Sequence, residues 1–299
     1  MILPDAPWRT RAGMGRLLLV LDAKAGETRF VGGCVRDTLL GLEVSDVDLA
    51  TRLAPEEVMR RLEAAKIKAV PTGLAHGTVT AVIHGHPVEV TTLRKDVATD
   101  GRRATIAYTE DWREDAARRD FTINALSADP ESGELFDYFG GLADLENRHV
   151  RFIGDPLVRI AEDHLRILRF FRFHARFARG APDAAGLTAC AARANDLMAL
   201  SRERIADELL KLLAIPDPGG TVRLMIEHGV LRPVLPEIAS TERLAALIAA
   251  ESAAGISGDP IRRLAALPLD FPFVRFTAGD APASVTATDS PGSTVKERS

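Results

Sequence analysis

Between residues 28 and 128 short apolar runs of strand length alternate with stretches of helical spacing, and further along the helical period dominates. Thr28 to Val31 reads as a short strand, Gly32-Gly33 follows at once, and Val35 to Leu42 has the spacing of a helix. In Asp46-Val47-Asp48 a period of two sends both carboxylates to one face of a strand and Val47 into the core. Pro55 to Ala65 predicts a packing helix, with Pro55 and two glutamates in its first turn. Gly77 to Ile83 and Pro87 to Leu93, rich in Thr and Val, predict two antiparallel strands joined by a turn at Gly85-His86. Leu135 to Tyr138 predicts another strand.

The helical half is clearest from Glu162 to Arg176. On a helical wheel Arg166, Arg169, Arg172 and Arg176 fall within an arc of roughly 120°, opposite Ile167, Leu168, Phe171 and Ala175. Ser201 to Leu213 and Thr221 to Val230 are two more amphipathic helices. After Pro260 to Pro268 the composition turns to Ala, Ser, Thr, Pro and Gly from about Thr277 to Ser299, which predicts a disordered tail.

Composition narrows the classes. The 299 residues are enough for two domains, and 46% hydrophobic content is ample for a packed core. A formal net charge of −4 does not by itself advertise a nucleic-acid partner, so the distribution of charge decides that point. Only Cys34 and Cys190 occur, far apart and without metal-ligand spacing, which points to a reducing, cytoplasmic setting. No apolar run approaches the roughly 20 residues needed to span a bilayer, so no membrane partner is expected. Arg9, Arg11 and Arg16 leave an organellar presequence open, but Asp5 and the early helical pattern favour an ordinary N-terminal helix over residues 1–27. Nothing in the sequence decides the oligomeric state.

The chemistry-bearing residues gather in three places. Gly32 and Gly33 permit backbone N–H groups to approach phosphates, Arg36 adds a cation, and Asp46 with Asp48 can grip Mg²⁺. Glu89, flanked by Val88 and Val90, is either a third metal carboxylate or a solvated strand charge. The polar stretch from Arg94 to Arg103 reads as a mobile loop, either a lid or a plain solvated connection. In Arg118-Arg119-Asp120-Phe121-Thr122-Ile123-Asn124 the arginines suit a triphosphate and Asn124 a ribose hydroxyl. Asp163 lies one turn before Arg166, so their side chains can meet; the bland reading is a surface ion pair. A fixed Asp-Arg pair also complements cytosine and adenine, which present an amino donor beside a ring-nitrogen acceptor, and mismatches uracil and guanine.

The ordered set GGCVRD, SDVDLAT, HGTVT, EVTTLR, RRDFTINAL, FDYFGGLADL and EDHLRILRFFRF closely resembles the bacterial and mitochondrial CCA-adding tRNA nucleotidyltransferases, over about residues 28 to 238. The resemblance implies an α+β head with a polymerase-β-like nucleotidyltransferase sheet over residues 28–148, an all-α neck over 149–215 and a partial helical body over 216–270, with 271–299 as the tail. It implies that Asp46 and Asp48 bind Mg²⁺ and are catalytic. It also implies that Gly32, Gly33, Arg36, Arg119 and Asn124 contact the nucleotide, that Asp163 and Arg166 form the template selecting C and A, and that Arg169 and Arg172 complete the phosphate and base contacts. The implied partners are the tRNA 3′ end, CTP and ATP, and the implied reaction is addition of C, C and A with release of pyrophosphate.

Bacterial poly(A) polymerases share the head but typically carry a basic Gly-Lys-Arg-Phe-like stretch where this chain reads Gly73-Leu74-Ala75-His76-Gly77-Thr78, which favours the tRNA enzyme. Family members usually continue further into body and tail helices. A poly(A) polymerase and an inactive, C-terminally shortened RNA-binding homologue are therefore the alternatives. With no His-Asp dipeptide, no HD phosphohydrolase module is expected.

Overall fold

A computed structural model describes residues 1–99 and 104–267. The expected tail from 271 to 299 lies outside the described residues, as do residues 100–103 of the expected loop. In chain order the elements are α1 (Met14–Val20), β1 (Thr28–Val31), α2 (Gly33–Leu39), β2 (Val47–Thr51), α3 (Pro55–Ala64), β3 (Lys68–Gly73), β4 (Thr78–Ile83), β5 (His86–Thr92), β6 (Arg94–Thr99) and β7 (Ala104–Tyr108). There follow α4 (Trp112–Ala117), β8 (Ser127–Ala128), β9 (Leu135–Phe136), α5 (Gly141–Glu146), α6 (Pro156–Glu162), α7 (Arg166–Phe177), α8 (Ala184–Ala192), α9 (Arg202–Leu213), α10 (Gly219–Glu227), α11 (Glu242–Ala253) and α12 (Pro260–Ala265). The architecture is thus an α+β head followed by a helical neck and body.

Seven strands form one mixed sheet in the order β3-β4-β5-β2-β1-β8-β9, with β2 and β5 parallel and the other neighbours antiparallel. The β4–β5 hairpin turns at His84-Gly85, one residue earlier than the sequence reading, and both residues have positive φ (47° and 84°). A two-residue turn of that kind matches the twist of the strands it joins. Because β1 lies between β2 and β8, the chain leaving β1 at Gly32 emerges beside the start of β2 and the segment that ends at β8. Gly32 N–H donates to the Leu126 carbonyl at 3.0 Å, which ties the glycine turn to that segment.

Residues 1–27 are part of this sheet's packing. One helix sits among short 3-10 turns, Leu3 N–H donates to the Gly133 carbonyl at 2.7 Å, and Trp8 lies edge-on to Phe30 with its Nε1 donating to Thr38 Oγ1 at 2.9 Å. Arg94 to Thr99, expected as loop, is instead the first strand of a separate two-stranded ribbon with β7.

An aromatic cluster joins head and neck. Phe121, after α4, lies 5.0 Å from Phe152 and 5.1 Å from Phe173 between ring centroids, and Phe152 stacks on Phe170 at 5.4 Å. Phe121, Phe152, Phe170 and Phe171 are fully buried, each large enough to contribute about 2–3 kcal/mol through burial. This cluster fixes α7 against the segment that carries Arg119 and Asn124. Among the described residues, no helix is long and apolar enough to cross a membrane.

Candidate active site

A cleft of about 350 Å³ opens where the glycine turn, β2, the end of α4 and the start of α7 meet. It gathers Gly32, Gly33, Arg36 and Asp48 from the sheet side, Arg119, Asp120 and Asn124 from the segment before β8, and Asp163, Arg166, Arg169 and Phe173 from the neck. Three sequence segments drawn from between Gly32 and Phe173 thus line one cavity. Asp46 and Arg172 are not among its lining residues. Asp46 is exposed just ahead of β2, where it accepts from Ser45 Oγ at 2.8 Å.

Gly32 has φ +70°, a left-handed conformation, and a Cβ there would lie 2.9 Å from Arg119 Nη1. Arg36 is buried. Its Nε donates to Asp37 Oδ1 at 2.7 Å, its Nη1 donates to Asn124 Oδ1, and its guanidinium stands 4.2 Å from the Phe177 ring centroid. Asn124 Nδ2 in turn donates to Asp120 Oδ1 at 2.9 Å. Both polar atoms of Asn124 are therefore engaged within the protein.

On the carboxylate side, Val47 is buried between Asp46 and Asp48, as the strand period requires. Burial pushes Asp48 up to about 6, with Glu89 and Asp46 adding like charge while Arg119 and Arg36 act against them. Glu89 is the register partner of Asp48 across the parallel β2–β5 pair, but it is exposed. Among the described residues no group of three or more His, Cys, Asp or Glu is placed to hold a metal ion. The aspartates nonetheless fit a divalent ion. Carboxylate oxygens are hard donors, one or two suffice for Mg²⁺ when substrate phosphates complete its shell, and a cation would relieve the repulsion at Asp48. Behind them Cys34 is fully buried against the Asp48 carbonyl, and burial pushes its thiol up to about 12.

Arg118 and Arg119 stand at the end of α4, and both pair with the buried Asp115, at 2.9 and 3.5 Å. Burial, with Arg119 and Arg94 adding like charge, pulls Arg118 down to about 10 against the opposing pull of Asp115. Asp120 is buried, yet Arg169 and the Asn124 amide outweigh desolvation and hold it at about 2.

The neck side departs from the sequence reading in one respect. The Asp163 and Arg166 side chains share the cleft but do not pair with each other. Arg166, only 9% exposed, donates through Nη1 to Glu162 Oε2 at 2.6 Å and the Arg159 carbonyl at 3.0 Å, and through Nη2 to the Arg118 carbonyl at 2.9 Å. Asp163 instead receives Arg204 Nη2, at 3.1 Å from each oxygen. The physical reason is the end of α6 at Glu162: Asp163 is extended (φ −149°), so the i,i+3 geometry of a continuous helix does not apply. Arg169 donates to Asp120 at 2.7 Å and Arg172 to Glu208 at 2.6 Å. Phe173 carries the guanidiniums of Arg36, Arg169 and Arg172 at 5.3, 5.2 and 4.6 Å from its centroid. Asp120, Phe173, Arg204 and Glu208 escape sequence reasoning as site residues. Phe173 falls within the arc of the arginines on a helical wheel, a signal available in the sequence.

Residues 28–151 match the family model described as the poly(A) polymerase head domain, and residues 183–241 match the one described as a probable RNA and SrmB-binding site of polymerase A. The mouse mitochondrial CCA tRNA nucleotidyltransferase 1 is 42% identical over 85% of this chain and 59% of its own length. A CCA-adding enzyme of Levilactobacillus brevis is 43% identical over 67% of this chain and 50% of its own. The crystal structure of the Bacillus stearothermophilus CCA-adding enzyme in complex with CTP is similar with a TM-score of 0.69 and 34% identity, over 82% of this chain and 58% of that one. The chain spans between half and three fifths of the length of these relatives. By these matches the chain belongs to the class II nucleotidyltransferase family that CCA-adding tRNA nucleotidyltransferases share with poly(A) polymerases.

Proposed function

We propose that this chain adds C, C and A to the 3′ end of tRNA from CTP and ATP, releasing pyrophosphate. The observation that carries the reading is the single cleft in which a glycine turn and Asp48 face a wall built from Asp163 and Arg166. One side is suited to phosphates and the other to a base edge. The reading also draws on the relatives, which are named for CCA addition, and on the similar crystal structure, which holds CTP.

Gly32 and Gly33 let the backbone approach the triphosphate, and Arg36 and Arg119 hold its oxygens by planar, charge-assisted hydrogen bonds. Asn124, braced by Arg36 and Asp120, presents its amide to the ribose. Asp46 and Asp48 would hold Mg²⁺, which when bound acidifies the attacking 3′-hydroxyl and neutralises charge on the departing pyrophosphate. Asp163 accepts from the amino group that cytosine and adenine share. Three of the five N–H donors of Arg166 go to Glu162, Arg159 and Arg118, so Nε and the remaining Nη2 proton can meet the ring nitrogen beside that amino group. Arg169 lays positive charge along the same wall, over Phe173, and Arg172 stands over that ring outside the cleft lining. Cys34 and Cys190 are both free thiols, which suits a reducing compartment such as bacterial cytoplasm or the mitochondrial setting named for some relatives.

The test is to incubate the chain with tRNA lacking its 3′ CCA, Mg²⁺ and each labelled triphosphate singly and in pairs. Ordered C, C, A addition, abolished in Asp46→Ala and Asp48→Ala variants that keep their fold, is the expected result. Long A tails or no incorporation would overturn it.

A further inference from the structure

Every arginine that lines the cleft has a carboxylate within 3.5 Å: Asp37 for Arg36, Asp115 for Arg118 and Arg119, Glu162 for Arg166, and Asp120 for Arg169. Arg94, at the head of β6, breaks that pattern. Its backbone N–H donates to Asp115 Oδ1 at 3.2 Å, so it stands at the same buried acid as Arg118 and Arg119. Among the described residues, however, no carboxylate oxygen lies within 4 Å of its guanidinium, which donates through Nη1 to the His76 carbonyl. Its Nε is shut off from solvent without an acceptor, and burial pulls the group below the ordinary arginine range, with Asp96 and Asp115 acting against the pull and Arg119 adding like charge. A half-buried cation without an ion-pair partner is one that an arriving anion stabilises.

The place of Arg94 in the fold selects the anion. Across the sheet the order is β4-β5-β2-β1; the glycine turn leaves β1, Asp48 is on β2, and Arg94 follows β5 directly and reaches the turn before β4. Arg94 and the glycine turn therefore flank Asp48 from opposite sides. In nucleotidyl transfer the attacking and leaving oxygens lie roughly in line through the phosphorus, so with pyrophosphate at the glycine turn the acceptor RNA comes in from the β5 side. Leu93 N–H donates to the Thr51 carbonyl, three residues and about 10 Å along β2 from Asp48, which sets Arg94 back from the reacting 3′-hydroxyl.

We propose that Arg94 binds a backbone phosphate of the acceptor RNA just upstream of its 3′ end and does not hold the incoming triphosphate. The inference rests on the RNA-extending reading given above. It lays the acceptor strand across the root of the β6–β7 ribbon.

Equilibrium binding of tRNA lacking its 3′ CCA to the full chain, without triphosphate and over a range of salt, tests it. Arg94→Gln should weaken tRNA binding about five- to eightfold at about 0.1 M salt and lower the slope of log K against log[salt] by about 0.7–0.9, the loss of one phosphate contact. The Kd for CTP, measured without RNA, should stay within about twofold. Arg94→Lys, which keeps the charge, should retain most of the slope. A neutral methylphosphonate at one of the three 3′-terminal linkages should give the wild type the same loss, and Arg94→Gln should add nothing to it; the wild-type arm and Arg94→Lys decide the matter if Arg94→Gln does not fold. A purely structural role for Arg94 would leave the salt slope unmoved. An unchanged slope in Arg94→Gln, a CTP Kd that rises in place of the tRNA Kd, neutral linkages without effect on the wild type, losses that add fully in variant and neutral RNA, or a wild type that does not bind tRNA would overturn the proposal. Failure of CCA addition with the expected binding pattern sinks the proposed reaction alone, and ordered addition with tRNA binding untouched in Arg94→Gln sinks only the role of Arg94.

Discussion

Glu208 offers the sharpest test of how the neck holds its arginines. Its side chain is 3% exposed on α9, with Oε2 at 2.6 Å from Arg172 Nε and Oε1 at 3.7 Å from Arg169 Nη1. Glu208→Ala removes the anion and leaves Arg172, 13% exposed, without it. Breaking a buried pair from one side costs about 3–5 kcal/mol. The lower end applies here, because Arg169 is 31% exposed and keeps Asp120 at 2.5 Å. At about 2–4 °C per kcal/mol for a chain of this size, a loss of about 3 kcal/mol lowers Tm by about 6–12 °C. The same physics predicts rescue. In Glu208→Leu with Arg172→Met both charges are replaced by apolar groups of similar volume, so most of the loss should return. Scanning calorimetry of wild type, the three single variants and the double variant measures both effects. A Tm change below about 2 °C in Glu208→Ala, or a double variant no more stable than Glu208→Leu alone, would refute the reasoning.

Two further outcomes concern the opposite wall. A Cβ on Gly141 would lie 2.3 Å from the Thr122 carbonyl oxygen, a backbone atom two residues from Asn124, so Gly141→Ala should cost about 3 kcal/mol by overpacking; a Tm within about 1 °C of wild type would show that the contact relaxes freely. Asp120 has its folded pKa held at about 2 by Arg169 and Asn124 against desolvation, below its ordinary 3.8. A depressed carboxylate pKa contributes stability above the unfolded value that is lost as pH falls through the folded one, here about 2 kcal/mol between roughly pH 4 and pH 2. Denaturant midpoints from pH 5 to pH 2 should therefore fall further for wild type than for Asp120→Asn, and parallel curves would contradict the assignment.

Much of this was legible from residue patterns, and the exceptions have identifiable causes. The β4–β5 hairpin and α3 sit within a residue or two of their expected limits because Thr/Val alternation and an N-terminal proline are local signals. β3 was not legible, since Lys68–Gly73 is an exposed edge strand that contains Pro71 and shifts register between Val70 and Gly73. β6 was mistaken for loop because its polar residues lack an apolar face. In the cleft, the glycine turn, Asp48, Arg119 and Asn124 were all legible, because each belongs to a short motif. The partners of Asp163 and Arg172 were not. They come from α9, 41 and 36 residues further along, and no periodicity within α7 reveals which carboxylate or guanidinium a neighbouring helix will bring.

That same pairing explains how a chain with a formal net charge of −4 can present a basic cleft. The arginines around it each have a carboxylate close by: Arg36 has Asp37 at 2.7 Å, Arg119 has Asp115 at 3.5 Å, Arg166 has Glu162 at 2.6 Å, and Arg172 has Glu208 at 2.6 Å. Each acid uses some of a guanidinium's five donors and fixes the plane of the rest. Without those acids, several arginines crowded into one cleft would repel one another and swing outward, and an arriving polyanion would have to order them at an entropic cost. With the acids in place the donors are oriented beforehand, which is the arrangement the proposed nucleotidyl transfer would draw on. Total charge is therefore a poor guide to a polyanion site. The acids that lower the sum hold the basic surface in position.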